Sequence, residues 1–193
     1  PSLLLHLTST DRAELYRVIE ALGKLKATEA VDPLIAFLQN DEVDGVASTA
    51  LGSIGDKRAI EPLIVLLKHH KPSVYSTSAA LYQFGNDAVE SLISVLFDEN
   101  AVRVHDLVLM ELWMLKDERA IKPIIQVLTT TQDSKIQSSA ITALGYLRAK
   151  DAIDPIARVF YTTSDPNLQR PSAMALAHIG GEKAFNTLVN GLL

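Results

Sequence analysis

The side chains able to do chemistry are few, and none forms a catalytic signature. Of the five histidines, two lie in the run Lys68-His69-His70-Lys71, and His105 stands six residues before Glu111. A Glu–His pair, bridged by water where needed, can move a proton or hold a small ligand. His105 and Glu111 are therefore a candidate polar site. The Lys68–Lys71 run could hold a metal or an anion, but it falls where a helix is expected to end, and cations already suit that pole. There is no cysteine, which excludes disulfides, thiolate metal sites and a thiol nucleophile. Gly-rich phosphate loops, G-x-S-x-G elbows and H-E-x-x-H are missing from the sequence. No catalytic residue, metal or cofactor is expected.

The elements that position these residues are repeats. Six segments open in the same way, at Val31-Asp32-Pro33-Leu34, Ile60-Glu61-Pro62-Leu63, Val89-Glu90-Ser91-Leu92, Ile121-Lys122-Pro123-Ile124, Ile153-Asp154-Pro155-Ile156 and Phe185-Asn186-Thr187-Leu188, spaced by 29, 29, 32, 32 and 32 residues. Between them recurs a second element, such as Ala50-Leu51-Gly52-Ser53-Ile54-Gly55 or Ala143-Leu144-Gly145-Tyr146-Leu147-Arg148. Both kinds predict helices. In the first, called A, proline sits in the first turn, where its missing N–H costs nothing. In the second, called B, apolar residues recur at helical spacing, and Gly55, Gly85 and Gly180 stand where a left-handed cap is expected. The predicted A/B pairs are 2–7/10–26, 30–40/43–55, 59–70/72–85, 87–97/101–115, 119–131/133–148 and 151–162/165–179, followed by a last A-type helix over 182–192. Pro171 should kink or shorten the last B helix. No helix of a pair can bury its stripe alone, so the pairs must stack. The expected fold is all-α: a right-handed α-α superhelix, or α-solenoid, of six helix pairs and a terminal helix, in one domain over 1–193.

The helical wheel then locates a surface. With Val43, Ser73, Val104, Ile136 and Leu168 numbered first in their B helices, position 10 is expected on the concave side, opposite the core. It is Gly23, Gly52, Tyr82, Trp113, Gly145 and Ala177. Neighbouring positions add Tyr16, Tyr75, Met110, Met114, Tyr146 and Met174. Aromatic anchors and adaptable methionines are what a binding centre uses. The expected partner-binding residues are Tyr75, Tyr82, Asp106, Met110, Trp113, Met114, Tyr146 and Met174. The plainer alternative is that Tyr82 and Trp113 only fill a wider gap between B helices. Glu111 occupies a position that is alanine in the other five B helices. A carboxylate there needs a partner, a raised pKa, or a tilted helix that lets it reach water.

The phrase Ala50-Leu51-Gly52-Ser53-Ile54-Gly55-Asp56, then Ala59-Ile60-Glu61-Pro62-Leu63, resembles the HEAT-like repeat of the phycobilin lyase type. The resemblance covers nearly the whole chain. It implies that B helices line the concave side and hold a partner. The leading expectation is a protein-interaction scaffold or assembly chaperone. The alternative is a subunit of a phycobilin lyase, or a phycobilisome-turnover factor, acting on a bilin and a phycobiliprotein. Deoxyhypusine hydroxylases resemble this fold too, but bind iron through His-Glu pairs. No histidine here precedes a glutamate. DNA glycosylases of HEAT-like build need a basic groove, which this sequence does not show.

Composition bounds the partners. The formal net charge is −5 and the pI about 5.5, which disfavours nucleic acid and anionic membrane surfaces. Lys57-Arg58, Lys116, Arg119, Arg148 and Lys150 could form a row, but Asp56, Asp117, Glu118 and Asp151 interleave with them. With 48% apolar residues the chain is expected to fold, and with 6% aromatic ones its core rests on Ala, Leu and Ile. The absence of cysteine fits a reducing, cytoplasmic setting. Neither end reads as a polar cap, so a fragment of a longer array, end-on self-association or a second repeat subunit is expected.

Overall fold

The computed structural model describes residues 2–69 and 71–191; Pro1, His70, Leu192 and Leu193 lie outside them. The chain divides into two compact units, Pro1–Val95 and Leu96–Leu193. The first holds α1 (Ser2–Leu5), α2 (Arg12–Lys24), α3 (Val31–Phe37), α4 (Asp44–Ile54), α5 (Ile60–Lys68), α6 (Val74–Gln83) and α7 (Val89–Val95). The second holds α8 (His105–Leu115), α9 (Ile121–Thr130), α10 (Ser134–Tyr146), α11 (Ile153–Thr162), α12 (Pro166–Ile179) and α13 (Gly181–Asn190). No strand occurs among the described residues. From α2 onward, even-numbered helices are B and odd-numbered ones are A. In the first unit α2, α4 and α6 pack in a row with α3 and α5 behind them; in the second, α8, α10 and α12 do so, backed by α9 and α11, and α13 packs on α11 and α12. The fold is an all-α solenoid.

The repeat is visible in the core. Leu34, Leu63, Leu92, Ile124 and Ile156 of the A helices are fully buried, as are Leu51, Leu81, Leu112, Leu144 and Leu176 of the B helices. Each such side chain contributes roughly 1.5–3 kcal/mol by leaving water. Most A helices are entered through a 3-10 turn ending near a fully buried alanine: Ala30, Ala59, Ala88, Ala120 or Ala152. A larger side chain there would push the A helix off its neighbour. In two of these turns aspartate caps the backbone, Asp56 accepting from the Arg58 N–H (3.0 Å) and Asp117 from that of Arg119 (2.9 Å).

Gly55 and Gly85 take positive φ at the ends of their B helices, as expected, whereas Gly180 combines φ 69° with ψ −171°, outside the left-handed helical region, and opens α13. Gly55 adopts φ 75°, and Lys116 and Arg148 take the same left-handed turn at φ 56° and 52°. There the basic residue stands where another repeat has glycine. The Ala149 N–H donates to the Leu144 carbonyl at 3.1 Å, closing the turn in the manner of a Schellman cap. Helix α12 runs through Pro171 and begins five residues before it, at Pro166, so the proline does not shorten its start. The change from a 29- to a 32-residue period also has a location. Helices α4 and α6 begin one residue after the first wheel position, at Asp44 and Val74, whereas α10 and α12 begin two residues before it, at Ser134 and Pro166. The extra residues extend the N-terminal ends of α10 and α12, whereas α8 begins at His105, one residue after its first wheel position, and α2 of the first unit already begins two residues before its own.

In the first unit the seam between α4 and α6 is polar. Ser73 Oγ donates to the buried Asp44 carboxylate at 2.9 Å, and the Ser48 and Thr77 hydroxyls lie 3.3 Å apart. No helix among the described residues is long and apolar enough to cross a membrane.

Candidate partner-binding site

A B helix in the middle of a row is gripped on two sides. A Cβ built on Gly52 would lie 2.8 Å from the Ala80 Cα, and one on Gly145 would lie 2.7 Å from the Ala175 Cα. Gly23 meets Ala50 in the same way, at 2.7 Å. In these three joints position 10 of one B helix thus faces position 8 of the next. The two positions are about 200° apart on one helix, so each B helix offers opposite flanks to its two neighbours. This differs from the expectation that position 10 faces open surface. A two-sided wheel separates core from solvent and leaves out the lateral contacts of a row.

Trp113 holds this position in α8, and its neighbour α10 packs less closely than α12 does on α10. The indole is half-buried. It stacks on Tyr146 with ring centroids 4.4 Å apart and planes inclined by 21°. Tyr146 in turn meets His178 at 5.0 Å and 35°. Three successive B helices therefore contribute one ring each to a continuous row. Offset stacking of this kind is worth about 0.5–1.5 kcal/mol per pair beyond the area buried. Tyr146 is half exposed and His178 is exposed, so the row is also a surface.

Beside it runs a groove. Asp106, Met110 and Trp113 share one face of α8, at four- and three-residue spacing. With Ser138, Ser139 and Thr142 of α10 they enclose about 370 Å³. Lys135 Nζ joins Asp106 Oδ2 across the groove at 2.6 Å. Met174 is exposed on α12, and Met114 is half-buried on α8. In the first unit Tyr75 and Tyr82 stand two turns apart on α6, 76% and 41% exposed. Tyr16 lines a separate cavity there with Glu20, Glu42 and Asp44.

The polar pair is arranged differently. His105 and Glu111 are both buried, but six residues turn the helix by about 240°, so they leave α8 on different sides. Glu111 has an interaction partner and does not reach water. The buried His105 Nε2 has no hydrogen-bond partner among the described residues. Of the Lys68–Lys71 run, His70 lies outside the described residues and Lys71 is bonded to Asp41 at 2.6 Å. No group of three or more metal-ligating side chains occurs among the described residues. The row of edge cations is interrupted by acids. Lys57 pairs with Asp87 at 2.8 Å, and Arg58 with Asp56 and Asp32, each at 2.9 Å. The Arg119 side chain, then its backbone N–H, bonds Asp117 and holds that carboxyl below its usual range; Arg58 does the same to Asp56.

His178, Lys135, Ser138, Ser139 and Thr142 were not expected in the site. His178 was within reach of the sequence, because it stands 32 residues after Tyr146 at the same wheel position. The serines carry no such signal, since a small polar residue on a helix reads as solvated surface.

The family model for HEAT repeats matches residues 1–81 and 121–193. The chain belongs to the HEAT-repeat family. Its fold is similar to the solved complex of CpcE and CpcF of phycocyanin lyase from Nostoc sp. PCC7120, at 22% identity and a TM-score of 0.53, covering 99% of this chain and 93% of that one. It is also similar to human deoxyhypusine hydroxylase, solved with glycerol, at 15% identity and a TM-score of 0.50, covering 92% and 83% of the two chains. No curated protein matches. At these identities the likeness is one of fold. The stretch of this HEAT-repeat protein left unmatched, 82–120, contains His105 and the three residues that break the repeat's own pattern, Tyr82, Glu111 and Trp113.

Proposed function

We propose that this HEAT-repeat protein is a binding scaffold that holds a protein partner on the open side of its B helices. The observation that carries the proposal is the row Trp113–Tyr146–His178. A solenoid needs only small residues to stack B helix on B helix, as Gly52 and Gly145 show. A partly exposed row of rings beside a groove is more than stacking requires, and such clusters are typical of interaction centres. Tyr75 and Tyr82 give the first unit an exposed aromatic pair of its own, to be tested separately. The experiment is affinity capture from the native source, read by mass spectrometry, followed by titration of the captured partner. Trp113→Ala is expected to weaken it by about 1–2 kcal/mol, the cost of a moderate hot spot. Unchanged affinity, with the helical circular dichroism intact, removes the proposal.

A second reading takes the partner to be a phycobiliprotein and the ligand a bilin, with a second repeat protein alongside. The flat rings of Trp113 and Tyr146 next to the groove favour it. Mixing with a bilin, alone and with a second repeat subunit, should then shift the pigment's visible absorbance. An unchanged spectrum in both cases leaves the plain scaffold.

A further inference from the structure

The groove between α8 and α10 is not isolated. A second cavity, of about 470 Å³, lies between α10 and α12, and Ser138 and Ser139 line both. The two form one trough across α10, with Met110 and Trp113 at one end and Asn167 and Arg170 at the other. Five of its polar side chains are uncommitted. Other hydroxyls on these helices bond the carbonyl one turn back, as Thr142 in the groove does to Ser138 at 2.8 Å and Ser172 to Leu168 at 2.7 Å. The side chains of Ser134, Ser138, Ser139, Asn167 and Arg170 make no hydrogen bond or ion pair among the described residues. Lys135 and Asp106 neutralise one another at 2.6 Å, and Asp165 caps the start of α12, accepting from the Asn167 backbone N–H at 2.9 Å. Arg170 is thus a cation with five donors and no acceptor, exposed at the end of a donor-rich channel.

Building on the reading of this face as a partner surface, we infer that the trough receives an extended segment of the partner. The segment sets an apolar side chain against Met110 and Trp113 and an Asp or Glu carboxylate on Arg170. The serine hydroxyls, each donor and acceptor, face the segment's backbone, and their small size leaves room for it. Arg170 fixes the direction in which the segment lies, because its fork matches a carboxylate and repels a lysine.

The test is selection of random short peptides displayed on phage against the full chain. The expected consensus has Asp or Glu at a fixed distance from an apolar residue. For the best peptide, measured by fluorescence polarisation, Arg170→Gln weakens binding by roughly threefold to tenfold. Arg170→Glu removes the acidic preference, Trp113→Ala removes the apolar one, and added salt weakens the wild type towards the Arg170→Gln value. Arg170 is exposed, so both substitutions at this position should leave the circular dichroism unchanged. No binder, binders without an acidic position, or full affinity in Arg170→Gln would each overturn the inference. The wider reading fails separately, if Trp113→Ala leaves capture of the native partner unaltered.

Discussion

The joint between α4 and α6 in the first unit and the joint between α8 and α10 in the second use the same helix position with opposite results. In the first, Gly52 brings the backbone against Ala80, so close that an added Cβ would lie 2.8 Å from a backbone atom. In the second, Trp113 stands at that position, stacks on Tyr146, and forms one wall of a groove. Close approach presses backbone on backbone at that level of the helix; a large ring there presents an aromatic face to the groove instead. The openings themselves lie nearer the helix starts, since the α4–α6 and α10–α12 joints, both with glycine at this position, also border cavities. One side chain at a fixed position thus decides whether a joint adds a ring to its groove.

The comparison can be broken most directly at Gly52. Gly52→Val should destabilise the protein by about 3 kcal/mol, because the new branches meet backbone rather than a movable side chain. Urea unfolding measures it, and a loss below about 1 kcal/mol would mean that the first unit's seam can open as the second's does. The polar contacts sharpen the contrast. Asp44→Ala strips a buried serine of its acceptor and should cost about 2 kcal/mol, whereas Asp106→Ala removes a bond to a largely exposed lysine and should cost less than about 0.5 kcal/mol. Trp113→Ala should cost about 1–2 kcal/mol of stability, from lost stacking and partial burial, in addition to its effect on the partner. The smallest effect is on pH dependence, and here the units should agree. Asp56 and Asp117 both have depressed pKa values in the folded protein. Each protonates more readily when unfolded, so its stabilisation is present above the unfolded value and is lost as the pH falls through about 4 and below. Asp56→Asn and Asp117→Asn should each flatten the decline in unfolding midpoint between neutral and acid pH, and a steeper decline in either would contradict the sign.

Much of the fold could be read before any coordinates. Buried leucines and alanines recur at the repeat spacing, and that periodicity is what stacks the helices, so the sequence carries it openly. The left-handed ends at Lys116 and Arg148 were not expected, because a basic residue carries no such signal, although both align with Gly55. The site was less so. Trp113 and Tyr146 stood out as large residues among small ones, but their mutual contact depends on how far apart α8 and α10 sit. The role of Gly23, Gly52 and Gly145 was misread, because a wheel describes one helix and these residues answer to the next. Ser138, Ser139 and Arg170 become informative only when bonds can be counted, since composition does not distinguish a satisfied hydroxyl from an unused one.

The longer period of the second unit has a consequence for how such arrays vary. Three added residues are close to one full turn of helix. In α10 and α12 they lengthen the B helix at its leading end while its leucines stay pointed inward. An insertion of one or two residues inside the stripe, rather than ahead of it, would swing the leucines beyond it by roughly 100–200° and expose them. Arrays of this kind can therefore deepen a channel by increments at the leading ends of their helices, where the stripe is undisturbed. Ser134, Lys135, Pro166 and Asn167, which border the larger cavity, are what one such increment looks like.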